Sequence, residues 1–210
     1  MIIDLIYPPV CGICNKINKK HLCKKCEISL KKYEIYSITE CKDKYFDYRI
    51  DILKYENLVR NTIIDYKFNE KSYMHRTFEK IILKNEKIYR FLKKYDIMIY
   101  VPMFKNKKAL RGYNQAELVA VDIAKKLQIK IEKNNLIKIK DIKKQSTLTR
   151  AEREANIKKA FKIIKPENIK DKNVILFDDI YTTGNTANEC SIMLKKAGAK
   201  NIVVLTIAKD

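Results

Sequence analysis

Residues 174–186 read V-I-L-F-D-D-I-Y-T-T-G-N-T, and no other stretch of the 210-residue chain restricts the fold as tightly. Val174, Ile175, Leu176 and Phe177 form an unbroken apolar run, which suits a strand buried in a parallel sheet covered by helices. The run ends in Asp178 and Asp179, so the acids fall at the carboxyl edge of the strand, where open parallel sheets bind ligands. Tyr181, Thr182, Thr183, Gly184, Asn185 and Thr186 follow as a turn that opens a helix. Backbone N–H groups at such a helix start, joined by threonine hydroxyls, cradle a phosphate, and Gly184 lets the ligand approach the backbone. The lysine of a G-x-x-x-x-G-K-[ST] loop is missing, which excludes a nucleoside-triphosphatase loop of that kind. Two carboxylates would repel the same phosphate; they suit hydrogen-bond donors elsewhere on the ligand, and sugar hydroxyls are the natural ones.

Apolar spacing places the remaining elements. Residues 58–64 and 78–92 read as helices, and 97–102 as a short buried strand ended by Pro102. Ala116, Val119, Ala120, Ile123, Ala124 and Leu127 share one face of a helix over 114–127. Strands are expected at 136–139, 174–177 and 202–208, with a helix over 186–196 stopped by Gly198. Strand–helix alternation of this kind predicts an α/β fold, a parallel sheet with helices on both faces. Residues 1–45 break the pattern and hold five of the six cysteines. The expected division is a small cysteine module over 1–45 and an α/β domain over 46–210.

Cys11 and Cys14 form one C-x-x-C pair, Cys23 and Cys26 a second, with 8 residues between them. Each pair bends two thiolates onto one ion, and two pairs complete a tetrahedral structural zinc site with no open position for catalysis. A redox C-x-x-C is the rival, but redox motifs come singly, ahead of a helix. His21 reads as a surface histidine of the knuckle loop, since four cysteines suffice. Cys41 and Cys190 lack partners at ligand spacing.

The chain carries 45 Lys and Arg against 25 Asp and Glu, a net charge of +20. That balance suggests an anionic partner, but only 7 of the 45 are Arg, and Ile, Lys and Asn together make up 86 residues. Such usage follows from A- and T-rich codons, so local clusters carry more meaning than the total. One cluster, from Lys16 to Lys32, surrounds the cysteine pairs and reads equally as a solvated face or a nucleic-acid surface. A second, Lys105, Lys107, Lys108 and Arg111, lies in an expected loop over 103–113 with no acid, after the 97–102 strand; its three lysines read equally as a solvated loop or an anion site, and Arg111 beside Gly112 favours an anion. No apolar run approaches the ~18 residues of a membrane span. Residues 1–10 lack the features of a signal peptide, so a soluble, cytoplasmic protein is expected.

The acid pair and T-T-G-x-T turn resemble the phosphoribosyl pyrophosphate (PRPP) signature of type I phosphoribosyltransferases. Val101-Pro102 with R-G-Y-N-Q-A-E-L from Arg111 resembles an element of the ComF/ComFC competence family. So do Gln145, Leu148, Arg153, Asn156 and Phe161, and Pro8-Pro9-Val10-Cys11 with its knuckles. The resemblance covers the whole chain. It implies a phosphoribosyltransferase-like sheet with an N-terminal zinc-binding module, PRPP bound with Mg²⁺, and catalytic roles for Asp178 and Asp179. It also implies PRPP contacts from residues 178–179 and 181–186 and from Arg111, Lys67 and Arg153. The polar stretch 140–159 resembles the loop that closes over PRPP. Many relatives carry more cysteines after the second knuckle; here Lys44 stands where Cys41 would need a partner, which argues for one zinc.

What the resemblance implies for function is the handling of single-stranded DNA during natural transformation, with other competence proteins such as an inner-membrane helicase as partners. The alternative is an active phosphoribosyltransferase with an unidentified acceptor; a PRPP-responsive DNA binder without turnover is a third reading. No stretch reads as a nucleobase pocket, and no base-binding extension is expected beyond the last strand at Asp210.

Overall fold

The computed structural model describes residues 8–139 and 160–210. After the cysteine loops come helix α1 (Lys24–Leu30), strands β1 (Glu34–Glu40) and β2 (Tyr48–Lys54), and helices α2 (Asn57–Phe68), α3 (His75–Leu83) and α4 (Glu86–Leu92). Strand β3 (Ile97–Tyr100) leads to α5 (Lys105–Arg111), α6 (Gln115–Leu127) and the short strands β4 (Lys130–Ile131) and β5 (Leu136–Lys138). Beyond the undescribed stretch lie β6 (Phe161–Ile163), β7 (Asn173–Tyr181), α7 (Asn185–Lys196) and β8 (Asn201–Lys209).

The main sheet runs β1-β2-β8-β7-β3-β4. Every neighbouring pair is parallel except β1 with β2, an antiparallel hairpin that closes one edge. Alternation along the strands separates two apolar layers. Ile175, Phe177, Val203, Leu205, Met98 and Tyr100 face the side covered by α2, α3 and α6. Val174, Leu176, Ile202, Val204, Ile97 and Ile99 face the side covered by α7, with Phe161 and Leu136. The expected α/β class is therefore found, with helices on both faces.

Several details differ from the spacing-based expectation. The sheet is mixed, because β1 and β2 add an antiparallel hairpin within 34–54, where no strand is among the expected elements. Residues 78–92 form two helices: the Asn85 side chain accepts from Ile88 N–H at 3.1 Å and starts α4 afresh. Residues 105–111 are helical instead of looped. Strand β5 leaves the main sheet and pairs with β6.

The cysteine segment rests on α3 without a gap. Gly12 N–H donates to Thr77 Oγ1 at 3.2 Å, and that hydroxyl donates to the His21 carbonyl at 2.6 Å. A methyl group on Gly12 would lie 2.4 Å from Thr77 Oγ1, so only glycine admits this contact. Cys11, Leu22, Cys26, Leu30 and Tyr33 belong to the same buried cluster as Phe78, Ile81 and Tyr66.

Candidate functional site

Asp178 and Asp179 stand near the carboxyl end of β7, and the turn after them enters α7 with Gly184 at φ +75°, the left-handed region. No side chain caps α7, so its first N–H groups have no side-chain acceptor. Asp178, Tyr181, Thr182, Thr183, Gly184, Asn185 and Thr186 line one small pocket, joined by Thr206 of β8. Asp179 turns the other way and meets Lys67 Nζ at 2.9 Å.

The R-G-Y-N-Q stretch explains why Lys67 is there. Asn114, buried, caps α6 by accepting from Ala116 N–H at 3.0 Å and donates to the Val101 carbonyl at 3.2 Å, which fixes α6 to the end of β3. Gln115, also buried, donates to the Lys67 carbonyl at 3.3 Å, while Tyr66 Oη donates to the Gln115 carbonyl at 2.9 Å. Tyr113 Oη donates to the Tyr66 carbonyl. Arg111 donates to Gln115 Oε1 at 2.7 Å and lies over the Phe68 ring at 4.9 Å. Burial pushes the Arg111 pKa down, and the charge of Asp179 works against that. Lys67, Arg111 and Asp179 are thus brought to one place from three elements. Lys108 is drawn aside to Glu117 at 2.9 Å. Arg153, with Gln145, Leu148 and Asn156, lies outside the described residues.

Burial, and then the neighbouring charge of Asp179, push the Asp178 carboxyl up to about 7, against the lowering effect of the Asp179 N–H that Oδ1 accepts at 2.8 Å. The proton therefore stays longer in the folded chain than in the unfolded one, whose reference value is 3.8. The stability this gives is complete below the lower value and is lost as pH rises through the upper one. Asp178→Asn keeps the acceptor for Asp179 N–H without the buried charge. Its Tm is expected to exceed that of the wild type at pH 8 and to match it near pH 4; equal differences at both pH values would refute the assignment.

A second network was not legible in the sequence. Asp51, fully buried in β2, accepts from Arg49 Nε at 2.7 Å and from Thr206 Oγ1 at 3.1 Å. The Arg49 guanidinium lies over the Tyr181 ring at 4.4 Å. Tyr181 is itself mostly buried, with its hydroxyl beneath Gly184, so it shapes the turn from behind. Arg49 and Asp51 alternate with Ile50 and Ile52, as a strand's residues do, but nothing local says what that strand lies beside. Only the parallel pairing of β2 with β8 brings them beside the phosphate-type turn.

In the cysteine module the four Sγ atoms of Cys11, Cys14, Cys23 and Cys26 lie within 4.8 Å of one another. Cys14 and Cys23 are 3.7 Å apart, close to the ~3.8 Å that four sulfurs at ~2.3 Å around a tetrahedral ion require. Cys23 N–H points at Cys11 Sγ at 3.4 Å and Cys26 N–H at Cys23 Sγ at 3.5 Å, donors that suit thiolates. Burial raises the Cys11 pKa, yet the N–H groups of Cys14, Cys23 and Ile13 outweigh it and bring the thiol down to about 7. Cys26 is pushed up by burial and by its three thiol neighbours, so without a cation the cluster does not hold four negative charges. The donor set fits a structural zinc.

A mostly parallel sheet with an acid pair and a Thr-Thr-Gly turn at its carboxyl edge, and a four-cysteine module whose donor set fits a metal, place the described residues in the α/β class. No family model matches the chain. Among curated proteins it is 31% identical to competence protein F of Haemophilus influenzae over 148 residues, 69% of this chain and 65% of that protein. It is 26% identical to competence protein ComFC of Streptococcus pneumoniae over 199 residues, 95% of this chain and 80% of that one. With the DNA utilization protein YhgH of Escherichia coli it shares 25% over 114 residues, 54% of this chain and 49% of that protein. The chain belongs to the ComF/ComFC family. It spans about two thirds of the first of these relatives and about half of the last. Similar solved structures include the glutamine PRPP amidotransferase of B. subtilis, with TM-score 0.44 and 19% identity over 65% of this chain and 26% of that one. A purine phosphoribosyltransferase of Pyrococcus horikoshii gives TM-score 0.36 and 17% identity, over 59% and 78%. No helix among the described residues is long and apolar enough to cross a membrane.

Proposed function

We propose that the chain binds PRPP with Mg²⁺ at the carboxyl edge of the sheet and serves in competence, handling incoming single-stranded DNA in the cytoplasm. The observation that carries the reading is the split acid pair. Asp178 looks into an uncapped Thr-Thr-Gly turn, while Asp179 is held by Lys67 beside Arg111. A ligand that carries a phosphate for the turn, hydroxyls for carboxylates and a second anionic group for Lys67 and Arg111 matches all three. Phosphate on the turn leaves the sugar hydroxyls beside Asp178 and Asp179 as donors, and the pyrophosphate end reaches the two cations. Mg²⁺ bound with the ligand would neutralise pyrophosphate charge; the hard carboxylate oxygens of Asp178 and Asp179 suit its shell. The relatives' names, competence protein and DNA utilization protein, support the DNA role, in which an inner-membrane helicase would be a partner. Lysines around the knuckles supply one basic face for DNA.

Calorimetric titration of Mg²⁺–PRPP at about 150 mM salt tests the site. Asp179→Asn removes a charged acceptor and leaves Lys67 unpaired, and is expected to weaken binding by roughly 10- to 100-fold. Affinity equal to that of the wild type would exclude Asp179 from the site. The same protein assayed for pyrophosphate release with a panel of acceptors distinguishes binding alone from transfer.

A further inference from the structure

The four sulfurs of the cysteine cluster divide into a dry pair and a wet pair. Cys11 is fully buried and Cys26 is only 7% exposed, and both are packed into the apolar cluster that includes α3. Cys14 is exposed and Cys23 half-buried, one from each C-x-x-C, and their Sγ atoms stand 3.7 Å apart. Lys16, Lys19, Lys20, Lys24 and Lys25 flank them and are exposed, and Glu27 is the one acid between Asn15 and Lys32. Holding a structural zinc requires all four cysteines as thiolates. Reactive cysteines are found where a thiolate is partly exposed in electropositive surroundings, which describes the outer pair. Cys41 is unlike them: burial pushes its pKa up, and its thiol donates to the Thr39 carbonyl at 3.6 Å. Cys190 is fully buried.

A disulfide is ~2.05 Å long, so each outer sulfur has to move only about 0.8 Å toward the other. A bond within either C-x-x-C would instead draw Cys11 or Cys26 out of the core. The structure assigns Cys14 and Cys23 as an oxidation site for hydroperoxides, where a disulfide closes between the two knuckles and the metal is lost. The Cys14 thiolate attacks one peroxide oxygen; the O–O bond breaks, the sulfur becomes a sulfenic acid and hydroxide leaves. The Cys23 thiolate then attacks that sulfur, the S–S bond forms and a second hydroxide leaves. Two electrons pass from the sulfurs to the peroxide, and two solvent protons turn the hydroxides into water. Cys11 and Cys26 remain, two ligands where a structural zinc takes four. A thiol reductant reverses the bond. The reaction does not depend on what the sheet edge binds, so it stands or falls apart from the PRPP reading.

The zinc-loaded chain is treated with hydrogen peroxide, released metal is followed with a chromogenic chelator, and disulfides are mapped by mass spectrometry after alkylation. Loss of about one zinc per chain is expected. The Cys14–Cys23 disulfide is expected to be at least about tenfold more abundant than either bond within a C-x-x-C. Dithiothreitol with added zinc is expected to return the original Tm. Cys14→His keeps a zinc ligand, as in sites of three cysteines and one histidine, and removes the outer thiol; its zinc loss is expected to be at least about tenfold slower. Cys41→Ser keeps all four ligands and is expected to release zinc at the wild-type rate. A map dominated by Cys11–Cys14 or Cys23–Cys26, metal retained in the oxidised chain, failure of the reductant to restore it, or equal rates in Cys14→His and the wild type would overturn the assignment. Slowed release in Cys41→Ser would also overturn it, by placing the reactive thiol at Cys41.

Discussion

Stripping the metal from the cysteine cluster is expected to destabilise the whole chain rather than free a floppy N-terminus. Cys11 is fully buried and Cys26 nearly so, and both sit in the apolar cluster that continues through Leu30 and Tyr33 to Phe78 and Ile81. With zinc bound, four thiolates converge on one charge. Without it, the buried thiols repel or take up protons, and the loops over Gly12 and His21 lose their reason to stay against Thr77. The free energy of binding a structural zinc is folding free energy, on the order of 10 kcal/mol in isolated modules. If even half is transmitted through the shared core, a chain of this size loses roughly 10–20 °C in Tm. Calorimetry with and without a strong chelator, with zinc content measured by mass spectrometry, reads both numbers. One zinc per chain is expected. A melting curve in which the main transition keeps its Tm after the metal has left would show that the module is only draped on the domain. Gly12→Ala probes the same seam without touching a ligand, because its methyl would overlap Thr77 Oγ1.

The parts of this molecule that could be read from the sequence are those where one short segment carries its own explanation. The run from Val174 to Thr186 holds a strand, its edge and the helix start, and the four cysteines declare their geometry through spacing. Lys67 entered only through resemblance to a family, whereas Arg111 also stood out in a local basic cluster. Nothing local says that a lysine in Y-K-F meets Asp179; that follows from Gln115 holding the Lys67 carbonyl across 48 positions of sequence. Arg49 and Asp51 were invisible for the same reason. They alternate with Ile50 and Ile52 on the inner strand of an edge hairpin, and acquire meaning only when β2 lands beside β8. The split of residues 78–92 was hidden by an apolar repeat that continues across Asn85, where the cap decides the outcome. Non-local pairing and side-chain capping are what the spacing of apolar residues cannot carry.

Two glycines separate strain from collision and give the sharpest test of the turn. Gly112 and Gly184 have nearly the same backbone, φ +78° and +75°. A methyl group on Gly112 meets nothing within 4 Å, whereas one on Gly184 would lie 2.2 Å from Tyr181 Oη and 2.5 Å from Cζ. Gly112→Ala therefore costs only the left-handed conformation, about 1–2 kcal/mol. Gly184→Ala costs that and the collision, and the ring cannot step aside, because Arg49 lies over it at 4.4 Å and is tied to buried Asp51. The turn must open, and with it the N–H groups of α7 leave their common focus. The expected result for Gly184→Ala is a stability loss of roughly 3–4 kcal/mol and a fall in PRPP affinity of at least about 100-fold. Denaturant unfolding and calorimetric titration measure the two effects. The double variant Gly184→Ala with Tyr181→Leu removes the obstacle while keeping the strain. If the collision is the cause, the pair of substitutions costs less than the sum of the two alone, the coupling that a double-mutant cycle isolates. Strict additivity would place the origin of the loss in the backbone conformation instead, and Gly112→Ala should then match Gly184→Ala in stability.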